Sequence, residues 1–211
     1  MNFEYAPWEN VYYPIAAAEK ILEKELTGSE RPDMNAEFNK NITGYFGTDG
    51  QTPDSLYDFV TVVLHEIGHG LGFTGFFYVQ NNLGGYGYWE DGDISTFDRL
   101  VATNSGDYLI DSTIYENPSA GLNSVLTSQF LFARSQAAKA KVESSFPRLY
   151  APIEWDNGSS IYHLNDASYP SSNPNSLMTH AIGRAEAAHN PGPLTNGILA
   201  DVGWKVMKFD F

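Results

Sequence analysis

The stretch that decides the reading is His65-Glu66-Ile67-Gly68-His69-Gly70-Leu71-Gly72-Phe73. Upstream of it, Leu56, Phe59, Val60, Val63, Leu64 and Ile67 fall on one apolar face of a helix, with Thr52 placed to cap, Pro53 at the first helical position and Asp54 complementing the dipole. The spacing therefore predicts a helix from about Pro53 that is stopped by Gly70 and Gly72. Two His four positions apart differ by about 40° around the axis, so both imidazoles reach one cation while the intervening Glu points to its flank. That pattern suits zinc, with Glu66 as the general base beside its water.

Composition narrows the classes that this motif can belong to. The chain has 211 residues, 12 Lys plus Arg against 26 Asp plus Glu, a net charge of −14, five His and no Cys. One domain of this size, 42% hydrophobic and 18% charged, carries enough apolar material for a core. The acidic balance disfavours nucleic acid, whose recognition depends on Lys and Arg releasing counterions. The absence of Cys rules out thiolate ligands and thiol nucleophiles, so a metal must use His, Asp or Glu. No apolar run approaches the length of a membrane span, and the segment beginning Met1-Asn2-Phe3 lacks the features of a secretory signal; an exported protein whose leader has been removed reads the same way.

Outward from the motif, Ile15, Ala18, Ile21, Leu22 and Leu26 predict a helix over about 14–26, and Met34, Ala36 and Phe38 a short strand. Residues 73–111 are Gly-, Asn- and aromatic-rich and read as loops and hairpins. One or two helices are expected in 121–142, irregular chain in 147–180, and a last helix from Thr195 to Val202 ending at Gly203. Asp49-Gly50 and Asp91-Gly92-Asp93 offer oxygen ligands of the kind Ca²⁺ prefers, although turns explain both more simply.

The nine-residue string resembles the metzincin metallopeptidases, whose motif helix breaks at a Gly three places past the second His, the place of Gly72 here. In most metzincins the third His follows three residues after that Gly, and this chain has Gly75 there. Leishmanolysin-like metzincins separate the third His by a long insertion, and this chain looks like that type. The resemblance implies a Met beneath the metal, and Ser176-Leu177-Met178-Thr179 looks like such a Met-turn. Of the remaining His163, His180 and His189, order favours His163 as third ligand, and Gly158-Ser159-Ser160-Ile161-Tyr162-His163-Leu164 resembles the third-ligand region of secreted bacterial proteins with the same motif. A carboxylate ligand from a following helix, as in gluzincins, finds no matching pattern.

The expected fold is thus α+β, a metzincin-like zincin domain: residues 1–72 with the motif helix and small sheet, a 73–150 insertion, and a C-terminal 151–211 subdomain with third ligand and Met-turn. The expected function is a secreted or cell-surface, bacterial-type zinc endopeptidase, monomeric, acting on protein or peptide. The rival is a non-catalytic zinc-stabilised binding or adhesion domain; an intact Glu66 argues against it, since zinc binding alone does not need that carboxylate. His180 stands where astacin-like metzincins carry a Tyr that approaches the metal, and an imidazole there can assist the oxyanion. Such domains place a multistranded sheet and a long helix before the motif, so the chain is expected to lack an N-terminal piece, with exposed apolar edges near Tyr5, Trp8 and Tyr12, unless the insertion supplies the missing strands. Surface charge favours cationic substrates only weakly, being screened within about 8 Å.

Overall fold

The computed structural model describes residues 1–28, 30–88, 92–142 and 145–206. Five helices stand among very short strands: β1 (Val11–Tyr12), α1 (Ile15–Leu22), β2 (Gly44–Tyr45), β3 (Tyr57–Asp58), α2 (Phe59–Gly70), β4 (Tyr78–Gln80), β5 (Leu83–Gly85), β6 (Ile94–Ser95), β7 (Val101–Thr103), α3 (Ala120–Leu126), β8 (Leu131–Ala133), α4 (Gln136–Val142) and α5 (Gly192–Val202). The strands pair two by two, β1 with β6 and β2 with β3 in parallel, β4 with β5 and β7 with β8 antiparallel. The architecture is mixed α and β with small sheets. No described helix is long and apolar enough to cross a membrane.

The motif helix α2 starts at Phe59, six residues later than the Thr52 cap predicts. Tyr57–Asp58 is drawn into extended pairing with Gly44–Tyr45, and Pro53 to Leu56 closes a turn instead of a helical one. The cap is Asp58, whose carboxylate accepts the Thr61 N–H at 2.7 Å. Thr52 donates its hydroxyl to the other Asp58 oxygen at 2.7 Å, so it supports the cap that it was expected to be. Burial pushes the Asp58 carboxyl up, but the bonds from Thr52, Thr61 and His189 outweigh it and hold its pKa below the ordinary value.

The other end of α2 closes as a Schellman motif. Gly72 N–H bonds to His69 C=O and Phe73 N–H to Gly68 C=O, with Gly72 at φ +115°. A side chain at Gly72 would also meet Val202 and Pro14. At the middle of the helix, a Cβ on Gly68 would lie 2.5 Å from the Met178 sulfur, and at Gly70 one would lie 2.2 Å from that of Met34. Small residues on this helix are thus required by what packs against it.

Three other boundaries differ from expectation. Helix α1 ends at Leu22, because the Glu19 carboxylate accepts the Leu26 and Thr27 N–H groups and folds the chain back through Glu23 at φ +50°. Met34 to Phe38 is not a strand; Met34 packs on Gly70. The 121–142 stretch holds a strand, β8, between α3 and α4, and α5 begins at Gly192, three residues before Thr195.

One buried apolar cluster runs from Phe73 and Phe97 through Leu122, Leu131, Leu149 and Leu164 to Met178, Ile198 and Val202. It draws on the 73–150 and 151–211 segments alike, and α4 lies against α5 closely enough that Gly197 admits no Cβ beside Ala138. The segment read as an insertion therefore shares its core with the C-terminal part. Single bridges from Phe132 to Arg148, Leu149 to Leu164 and Leu164 to Thr179 then set the His163 region beside the Met178 turn.

Candidate metal centre

Helix α2 presents His65 and His69 on adjacent turns of one face. His163 arrives from an irregular segment that is bent sharply: Ile161 is buried at φ +75°, a conformation that a β-branched residue adopts at a cost of order 1–3 kcal/mol. Its N–H bonds to Tyr150 C=O at 2.7 Å, and Tyr150 N–H returns to His163 C=O at 2.8 Å. The strained turn is thereby fixed to the Tyr150 segment, and His163 is buried, only 4% of the residue being exposed.

The three rings meet at their Nε2 atoms, 3.0 Å apart for His65 and His69 and 3.1 Å for each with His163. Each Nδ1 faces a backbone carbonyl: His65 that of Leu177 at 2.8 Å, His69 that of Phe73 at 2.8 Å, and His163 that of Ser159 at 2.7 Å. A carbonyl only accepts, so every Nδ1 carries the proton and every neutral ring turns an Nε2 lone pair inward. Three lone pairs converging without a donor repel one another; a cation at their centre removes the conflict. Tetrahedral zinc–nitrogen bonds of about 2.0–2.1 Å separate ligand nitrogens by about 3.3 Å, close to the separations found. The donor set fits zinc, and the carbonyls supply the orienting partners that metal-bound His residues need.

Electrostatics favours the neutral, ligand form of His163 and His69. Burial, reinforced by the neighbouring His69 and His65, pushes the His163 imidazole down to about 3, and burial likewise lowers His69. Met178 is fully buried against Gly68 beneath the helix, and its carbonyl accepts the Leu164 N–H at 2.7 Å. Glu66 is exposed on the flank of α2 and lines two clefts: one with His65 and residues 171–188, the other with His69 and residues 33–37.

The two remaining His residues are not part of the converging group. His189 bonds through Nε2 to Asp58 at 2.8 Å, at the start of α2. His180 lines the Glu66 cleft with Nδ1 on Asp166 and its ring stacked on Tyr150, centroids 3.8 Å apart and planes 7° off parallel. Of the expected Ca²⁺ ligands, Asp49 accepts the Tyr45 hydroxyl and the Gln51 N–H within its own turn, while Asp91 lies outside the described residues.

Sequence reasoning missed Asp98, Tyr162 and Asp166. Asp98 is wholly buried and accepts N–H groups of Ser95 and Phe76 and the hydroxyl of Tyr162, the residue before His163. Burial pushes its carboxyl up to about 6, against the bonds from Ser95, Tyr162 and Phe76. Because the folded value lies above the unfolded one of about 3.9, Asp98 adds stability that is present below about pH 4 and lost as pH rises through about 6, about 3 kcal/mol in all. A carbon-13 titration of this carboxyl should show a midpoint near 6, and Asp98→Asn should flatten that part of the pH–stability curve. A midpoint below about 4.5 would contradict the assignment.

No family model, no curated protein and no solved structure matches this chain.

Proposed function

We propose that the chain is a zinc-dependent endopeptidase of metzincin-like type, secreted or displayed at the cell surface, with His65, His69 and His163 as ligands. The observation that carries this reading is the convergence of three Nε2 lone pairs at 3.0–3.1 Å on the flank where Glu66 stands. Zinc bound by these three residues would supply a Lewis acid to polarise a peptide carbonyl and acidify water. The Glu66 carboxylate takes the proton of the attacking water at one of its oxygens, holds it, and delivers it to the departing amine nitrogen. Met178 and the Leu177 carbonyl fix the helix and the His65 ring, so that Glu66 keeps its place relative to the ligands.

The test is metal analysis together with casein cleavage. Purified protein should hold one zinc per chain and cleave casein; a chelator should abolish cleavage and zinc should restore it. Zinc without cleavage of casein or of a peptide library would favour the binding-domain alternative.

His180 has a role within this reading. Asp166 accepts the Nδ1 proton and Tyr150 holds the ring plane, leaving Nε2 as the atom free to act in the cleft shared with His65 and Glu66. An Nε2–H at this position donates to the developing oxyanion, with Asp166 fixing the ring through Nδ1. His180→Ala should lower turnover by about 10²-fold with zinc content unchanged. Unchanged turnover would make His180 a structural partner of Tyr150 only.

A further inference from the structure

The lining of the cleft beside Glu66 is asymmetric in charge. Val62, Leu177 and Ile182 give it apolar walls, His65 and Glu66 belong to the metal centre, and Glu186 adds a second carboxylate. No Lys or Arg lines it, and the further histidine in its lining, His180, is paired with Asp166. The nearest candidate in sequence, Arg184, donates to the Ser55 carbonyl and lies over the Tyr57 ring, so its charge is directed elsewhere. Among the described residues the two ion pairs are His180 with Asp166 and His189 with Asp58. Glu186 has no cationic partner.

We infer that Glu186 makes this cleft a subsite for a Lys or Arg side chain next to the scissile bond. The inference rests on the peptidase reading above and specifies its substrate class. Lys and Arg have long apolar stems and a charged tip, and they lie best where hydrocarbon walls accompany a carboxylate. The cleft offers both. Glu186 is half-buried and accepts the Gly183 N–H at 2.7 Å through one oxygen, which fixes the carboxylate while leaving most of its acceptor capacity open. Glu66 is committed to the proton transfers, so Glu186 is the lining carboxylate left to meet a substrate side chain. A net charge of −14 attracts cationic peptides from a distance, but at about 8 Å of screening only a charge inside the cleft can discriminate between side chains. A neutral apolar residue placed there would fill the walls without forming the ion pair.

The test uses the zinc-loaded full chain and a series of otherwise identical peptides carrying Lys, Arg, Leu or Glu on either side of the scissile bond. The wild-type protein should favour Lys and Arg over Leu by about 10-fold in kcat/KM at one of these positions, and should reject Glu. Glu186→Gln keeps an oxygen for the Gly183 N–H and removes the charge, so it should erase the preference by lowering kcat/KM for Lys and Arg peptides while leaving Leu peptides within about twofold. Glu186→Lys should make the Glu peptide the better substrate. Equal or better cleavage of Leu peptides by the wild type, or a preference that survives Glu186→Gln, overturns this subsite and leaves the peptidase reading intact. Cleavage of none of the peptides by zinc-loaded protein overturns both.

Discussion

Replacing Glu66 by Gln is expected to leave zinc bound and to lower turnover by about 10²–10⁴-fold, toward the upper end because one carboxylate serves both proton transfers. The two effects separate because Glu66 is not among the atoms that converge: the ligand group is His65, His69 and His163, and Glu66 lies on the flank. Gln has nearly the same shape and the same helix propensity class, and the site is exposed, so α2 and its Asp58 cap should be unaffected. The measurement is kcat on a single peptide at saturating zinc, paired with zinc stoichiometry on the same sample. Retention of more than about a tenth of wild-type turnover would show that the proton is carried by another group. His180 would then be the first residue to examine, since it shares the cleft.

The sequence was most informative where a local rule had no competitor. The i, i+4 spacing of His65 and His69 needs only a helix, and the Gly at 72 needs only a chain reversal with φ > 0, so both survive whatever the rest of the chain does. The start of the same helix was misplaced because Thr52-Pro53-Asp54 has every local mark of a helix N-terminus. A two-residue pairing of Tyr57–Asp58 with distant Gly44–Tyr45 overrides it, which no local propensity contains. Strand β8 was hidden for a related reason: Leu131-Phe132-Ala133 is too short to show a period of two, and it stands between two helices whose pattern absorbs it.

The geometry of the site was less legible than its residues. Chain order relative to Met178 selected His163, and the folded chain brings that ring against His65 and His69. What turns the three Nε2 atoms inward, however, is a set of backbone carbonyls, those of Leu177, Phe73 and Ser159, and a carbonyl carries no sequence signal. Asp98 and Asp166 could not be distinguished from ordinary loop acids, because their meaning depends on partners 64 and 14 residues away, Tyr162 and His180. The strain at Ile161 was equally silent, since a β-branched residue at positive φ is what a local rule would reject.

That strain bears on the second large effect, the loss of metal in His163→Ala. The segment that carries His163 is bent at a cost, tied to Tyr150 on one side and to the Met178 turn on the other, and has its ring buried in the position where the two helical nitrogens need a third. Removing the imidazole leaves two ligands on α2 and should weaken zinc binding by well over 100-fold, more than the loss of an orienting partner costs. Thermal unfolding gives the discriminating readout. Ligand that binds only the folded chain stabilises it by about 4 kcal/mol at a thousand times its Kd, and by about 1.4 kcal/mol or less where the Kd is 100-fold or more weaker, so zinc should raise the wild-type Tm far more than that of His163→Ala. If the three rings were instead a metal-free cluster sharing a proton, zinc would move neither Tm, and the variant would be destabilised at every zinc concentration by the lost hydrogen bonds alone. A metal centre predicts that the stability gap between the two proteins opens with added zinc and closes when a chelator removes it, down to the residual packing loss at the buried ring. A gap that ignores zinc would rule the metal out, however well the nitrogens converge.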